Sequence, residues 1–213
     1  MSPLRRLFVF LACLLLWLAA LLVPWPGVAR AYSHLFCVGG NLLFGSFGPG
    51  GEVRFKPPTA IEPAQRCGIT LINRPAGKGA DETIDTRFRG YAPTAVLAAL
   101  VLATPIPWRR RVRALFWGLL LVQGFVAVRV ALTLIGLFSN NDDLAIFHLS
   151  LFWKGAVNLS LAALVAAPPS VFVVPMLLWV LVAFRRGDWE AWTGRKPPRP
   201  GLPEGGQRRP RQE

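Results

Sequence analysis

The sequence predicts a membrane-embedded all-α bundle of about four transmembrane helices, carrying a small extracytoplasmic β-rich loop. Three observations lead there. Hydrophobic residues make up 53% of the 213 and charged ones only 16%, against roughly 45–50% and about 25% in soluble globular chains. The apolar residues gather in long runs. The 24 lysines and arginines outnumber 11 acids, giving a net charge of +13, and they flank those runs, as they do where a membrane chain sets its orientation. The apolar excess excludes a soluble enzyme and a disordered chain. Nucleic acid is not an expected partner, because the basic residues form no face on a soluble domain.

Residues 1–6, with Arg5 and Arg6, are expected in the cytoplasm, and Leu7–Val23 follows as the first span. That run is at the short end for a crossing. A cleaved signal peptide competes for the segment through Ala29-Arg30-Ala31. An uncleaved anchor is preferred, because the apolar core is longer than a usual signal core and Pro24-Trp25-Pro26 separates it from that site. Either way residues 32–91 lie outside. Ala92–Pro107 is the second span and Ala114–Phe138 the third. Between them Trp108–Arg113 carries four arginines in six residues, a short basic loop assigned to the cytoplasm by the positive-inside rule. Residues 139–150 form an outer turn. Leu151–Phe184 is 34 residues long and interrupted by Pro168, Pro169 and Pro175. It is expected as one kinked span, since two crossings would place Arg185 and Arg186 outside. Residues 185–213 hold eight basic residues among prolines and glycines and read as a disordered cytoplasmic tail. The resulting topology is a multi-pass protein of a bacterial-type inner membrane, both termini inside, with the bilayer itself as first partner.

The outer segment alternates like strands in three places. Val53 and Phe55 share one face of Glu52–Lys56, Ile69 and Leu71 one face of Ile69–Ile72, and Ile84 and Phe88 one face of Ile84–Arg89. Glycines at 48–51 and Pro75–Gly79 supply turns. The apolar face of this sheet is expected against the membrane helices or against Leu35–Phe47. Cys37 and Cys67 are the two cysteines of the segment, and outside the cytoplasm they are a disulfide candidate. Two unrelated thiols are the alternative. Cys13 reads as a small lipid-facing residue. With His34 the two cysteines still lack a fourth ligand, so no zinc site is expected.

Arg129 is the most informative polar residue. It lies within the third span, with Phe125 one turn before it and Thr133 one turn after on the same face. An ionisable residue at that depth is a functional candidate, here for an anion or carbonyl group. A snorkelling or helix-bridging arginine is the competing reading. His148 opens the last apolar segment after Asn140-Asn141-Asp142-Asp143. It is a candidate general acid or base, or else an interfacial histidine. Asp142 and Asp143 fit a helix cap as well as a cation. Arg87, Arg89 and Tyr91 precede the second span; Arg89 and Tyr91 join the candidate binding set, against the plainer reading of an interfacial anchor. No Walker loop, dinucleotide glycine pattern, HExxH, GxSxG or EF-hand occurs, and no cofactor is expected.

The layout from about residue 86 to 184 resembles the exosortase/archaeosortase family, polytopic membrane enzymes proposed to act as transpeptidases on C-terminally anchored surface proteins. Trp108–Arg113 looks like that family's basic cytoplasmic turn, Arg129 like its late-span arginine and His148 like its outer histidine. The stretch covers under half of the chain. The family's cysteine would stand near Arg87–Tyr91, and none is there; Cys67 lies well upstream. Neither arginine nor tyrosine replaces a thiolate nucleophile.

The resemblance with that gap implies a non-catalytic accessory factor in protein sorting, export or surface assembly, whose partner is another membrane or exported protein. A transpeptidase or protease with a displaced nucleophile, Cys67 or Cys37, is the first alternative. A small transporter or channel subunit is the second, and no broken-helix repeat supports it.

Overall fold

The structure, a computed structural model, describes residues 3–23, 25–59, 63–141, 144–147, 150–166 and 169–183. Met1–Ala183 forms one compact unit. The basic tail expected over 185–213 lies outside the described residues.

The chain opens on α1 (Pro3–Leu22) and α2 (Pro26–Phe44). Pro26 marks the break between them, because proline donates no backbone bond and keeps the preceding residue, Trp25 at ψ 114°, out of the helical region. Pro26 then opens α2, since a first-turn N–H needs no intrahelical partner. Across this break the helix axis turns by 75°. Four strands follow, β1 (Ser46–Phe47), β2 (Gly51–Lys56), β3 (Arg66–Asn73) and β4 (Lys78–Asp85), in an antiparallel meander of order β1-β2-β3-β4. Gly48 and Gly50, at φ +65° and +88°, make the first turn, a backbone region where a Cβ is costly.

A π-helical turn, Arg87–Tyr91, leads into α3 (Ala92–Ala103). Then come α4 (Trp108–Asn140), α5 (Leu151–Ser160) with a second π-helical turn at Leu161–Ala166, and α6 (Ser170–Ala183). α3 is the central rod, packed against α1, α4 and α6, and Leu97, Ala99 and Val101 on it are wholly buried. A second core lies between the sheet, α2 and the last turns of α4. Val53, Phe55, Ile69, Leu71 and Ile84 meet Val130, Leu134 and Phe138 there. The sheet's inner face therefore rests on both surfaces expected for it, α4 and the 35–47 segment.

The expectation of an all-α bundle with four spans is overturned. Among the described residues, six α-helices accompany a four-stranded sheet. One helix, α4, is long and apolar enough to cross a membrane, or three segments are if each bent helix pair counts as one. The second bent pair, Leu151–Ala166 with Ser170–Ala183, turns by 82°. The expected second span fails on length. α3 has 12 residues, about 18 Å at 1.5 Å per residue, against a hydrocarbon core of roughly 30 Å. It stops at Ala103 because Pro105 forces Thr104 into extended backbone, ψ 128°.

Three further boundaries differ. Arg109–Arg113 form the first turns of α4 and not a loop. Within the segment expected as an outer loop, residues 32–44 are helical, and α2 carries Cys37. Residues 84–89 are not one strand: β4 ends at Asp85 and the chain coils at Arg87. Ile84 is therefore buried while Phe88 is 59% exposed.

Candidate functional site

Arg129 lies on α4 with 2% of its surface exposed. Its Nη1 donates to the carbonyls of Phe88 at 3.2 Å and Arg89 at 3.5 Å, and its Nη2 to the carbonyl of Val165 at 3.4 Å. Phe88 and Arg89 lie in the first π-helical turn and Val165 in the second. A π turn bonds each N–H to the fifth residue back, as Ala92 N–H does to the Arg87 carbonyl, which offsets neighbouring carbonyls from the regular ladder. One guanidinium thus bridges two irregular turns on separate segments. Its plane also lies over the Phe125 ring at 5.6 Å, a cation–π contact. The buried Nε has no hydrogen-bond partner, and none of the ion pairs among the described residues includes Arg129.

Arg89 comes from the opposite direction. Its Nη1 donates to Thr133 Oγ1 at 2.7 Å, and that hydroxyl donates to the Arg129 carbonyl at 2.8 Å. Phe125, Arg129 and Thr133 therefore act from one face of α4, stacking, bridging and relaying. Beside them Gln123 Nε2 donates to Thr94 Oγ1 at 3.1 Å, and Thr94 Oγ1 to the Gly90 carbonyl at 2.8 Å. The sequence signal for this network is a set of isolated polar residues within an apolar helix. Arg129 and Thr133 were legible that way; the Gln123–Thr94 pairing depends on a neighbouring helix.

Tyr91 turns away from Arg129. Its hydroxyl donates to the Leu21 carbonyl, and Arg87 Nη2 donates to the Leu22 carbonyl at 3.2 Å. These are last-turn carbonyls of α1, which have no intrahelical donor. Tyr91 also meets the edge of the Tyr32 ring, centroids 5.4 Å apart. The candidate binding set thus divides: Arg89 and Arg129 join the first π turn to α4, Arg129 reaching the second π turn as well, and Tyr91 fastens α1. His148, Asp142 and Asp143 lie outside the described residues.

Cys37 and Cys67 form a disulfide that joins α2 to β3, with Cα atoms 6.8 Å apart. Both are buried, and Cys13 is an exposed free thiol. Sequence reasoning missed two bridges close to it. Asn41 of α2 pairs with both backbone groups of Phe55: Nδ2 donates to its carbonyl at 2.9 Å and Oδ1 accepts its N–H at 2.8 Å. Ser33 Oγ donates to the Ala64 carbonyl at 2.7 Å and lies 2.8 Å from Thr86 Oγ1. On the sheet's outer face Glu52 bonds Arg74 and Arg54, and these two guanidiniums, Arg74 first, hold its carboxyl below the usual range. Among the described residues no three His, Cys, Asp or Glu side chains group as metal ligands.

Chemically, the Arg129 cluster donates hydrogen bonds and holds positive charge; among the described residues that the cluster joins there is no cysteine or histidine. Comparison with protein-family models, with curated proteins and with solved structures finds no match to this chain.

Proposed function

We propose that this protein is a membrane-integrated, non-catalytic factor that presents its four-stranded sheet outside the cytoplasm and serves protein sorting, export or surface assembly. The observation that carries the non-catalytic part is the Cys37–Cys67 disulfide. It engages both thiols on which a displaced-nucleophile transpeptidase would depend, and a disulfide is no nucleophile. It also supports an oxidising compartment for the sheet.

Charge and hydrophobicity support the orientation. α1, α4 and α6 turn Leu15, Leu16, Leu120, Leu121, Leu177 and Leu181 outward, more apolar surface than a soluble monomer tolerates. The basic first turns of α4 meet the last turns of α6 and the end of α3. Arg110 Nη2 donates to the Ala183 carbonyl at 3.2 Å and Arg111 Nη2 to the Thr104 carbonyl at 3.0 Å. α1 runs antiparallel to α3: Leu21 near its end meets Tyr91 at the start of α3, while Phe10 stacks on Trp179 of α6, whose Nε1 donates to Thr104 at the end of α3. Arg5 and the four arginines in the first turns of α4 therefore share the end of the bundle away from the sheet, and among the described residues every Asp and Glu is in the sheet. That cluster of arginines beside the helix ends matches the positive-inside rule, which counts lysine and arginine near the spans; the strands of the sheet carry Arg54, Lys56, Arg66 and Lys78 beside their four acids.

The test is genetic and biochemical. The chain is expected to stay with membranes through alkaline carbonate extraction. Deleting it is expected to alter the set of exported or surface-anchored proteins, with recovery on complementation; an unchanged set overturns the sorting role. A chain with the free thiol removed, Cys13→Ser, is expected to complement fully. Loss of complementation at normal protein level would overturn the non-catalytic reading.

A further inference from the structure

The two edges of the sheet are treated differently. At one edge β1 is only two residues long. It is assisted by Asn41, whose side-chain amide bonds the N–H and carbonyl of Phe55 as a neighbouring strand would. That edge is closed. The other edge is β4, eight residues long and last in the sheet, with Ile84 its one buried side chain.

The direction of each β4 backbone group follows from the register. Pairs between β3 and β4 run from Arg66–Asp85 to Asn73–Lys78. One step beyond, Thr86 N–H donates to the Gln65 carbonyl. Antiparallel pairs alternate between hydrogen-bonded and non-bonded, so the even-numbered residues of β4 bond β3. The odd-numbered ones, Gly79, Asp81, Thr83 and Asp85, aim N–H and carbonyl away from the sheet. The same parity holds on the far side of β3, where Arg74 N–H donates to the Gly50 carbonyl. The open edge thus offers donors and acceptors at every second residue, a row that an extended backbone matches in spacing.

Charge selects among extended backbones. β4 holds Asp81, Glu82 and Asp85 against Lys78. A second copy of β4 in antiparallel pairing would bring these acids close to one another, and like charges across a ladder are destabilising. Asp81 and Asp85 share the sheet's outer face, with Lys56 Nζ 3.7 Å from Asp81, while Glu82 pairs with Ile69 on the other face; a strand with lysine or arginine at alternate positions is complementary to the outer-face pair.

We propose that β4 is a docking edge that takes an extended, basic segment of an exported polypeptide by strand addition. This rests on the accessory reading above and names the partner's chemistry. Because the odd-numbered N–H groups point outward, proline at Thr83 removes a docking donor and leaves the β3 ladder intact, the edge position at which proline is tolerated.

The test uses the full chain in detergent micelles and a fluorescein-labelled peptide of alternating lysine and valine, read by anisotropy. Wild type is expected to bind it, and to bind an alternating glutamate–valine peptide at least tenfold more weakly. Thr83→Pro is expected to lose at least tenfold in affinity while the Cys37–Cys67 disulfide still forms. Asp81→Lys, which leaves the backbone unchanged and lies on the outer face that meets the peptide's lysines, is expected to narrow or reverse the preference between the two peptides. Absence of lysine–valine binding by wild type, equal binding of both peptides, or undiminished binding by Thr83→Pro would each overturn the proposal. So would pairing of β4 with β4 between copies, read as a cross-link through Thr83→Cys. If deletion alters the exported proteins and Thr83→Pro restores them fully, the docking edge fails and the accessory role stands.

Discussion

Replacing Arg129 by methionine tests whether the buried guanidinium is a structural bridge. Methionine keeps the length and apolar stem of the side chain and removes all donors. Three hydrogen bonds of 3.2, 3.5 and 3.4 Å disappear, together with the contact over Phe125. A hydrogen bond to a charged group contributes about 1.5–3 kcal/mol. Two of the three are near the distance limit and count for about half of that. With a cation–π contact of about 1 kcal/mol, the gross loss is roughly 5 kcal/mol. Against it stands the recovered desolvation of a buried cation, several kcal/mol, here without a carboxylate to offset it. The expected net is a destabilisation of about 2–3 kcal/mol, or a melting point lower by roughly 4–12 °C for a chain of this size. Thermal unfolding of the purified protein in detergent reads it directly. Arg129→Lys is expected to fall between, because one ammonium reaches one π turn and not both. Should the methionine variant melt within about 2 °C of wild type, the bridge is not what Arg129 is for. A binding role would then explain its burial better.

Three other outcomes follow from separate parts of the molecule. Maleimide is expected to label one thiol, Cys13, in the unfolded non-reduced chain and all three after reduction. Loss of the disulfide in a Cys37→Ser/Cys67→Ser chain would cost about 3.7 kcal/mol by loop-closure entropy across a sequence separation of 30 residues. Asn41→Leu is expected to cost about 1–3 kcal/mol, because it leaves Phe55's N–H and carbonyl unpaired; amide exchange should rise first at Phe55. Glu52 has its folded pKa depressed by Arg74 and Arg54. Its stabilisation is therefore complete above the ordinary carboxylate value of 4.5 and is lost as pH falls through the lower folded value. In an acid titration of stability, Glu52→Gln should remove that component and leave the neutral-pH fold in place.

The inner faces of β2 and β3 could be read from local alternation. Val53, Phe55, Ile69 and Leu71 repeat every second residue, and all four are buried. The distinctive arginine could be read too, since a lone charge in an apolar run is visible without any fold. What Arg129 bonds could not be read. Its acceptors are 36 to 41 residues away and are exposed to it by π turns, which no local pattern announces. α2 was hidden for a similar reason. Gly39, Gly40, His34 and Asn41 interrupt its apolar face, and the segment is held as a helix by the disulfide and by Asn41's bond to β2.

Composition and local period therefore determined an apolar, basic chain with a small sheet, a polar residue buried in its longest helix, and two cysteines outside that helix. Tertiary structure alone decided how many segments are long enough to cross a bilayer, because proline breaks set bends of 75° and 82° whose size depends on what each arm packs against. It also decided which edge of the sheet is closed. Closure depends on where α2 brings Asn41, and a side chain 14 residues from its partner is positioned by the fold and not by its neighbours in sequence.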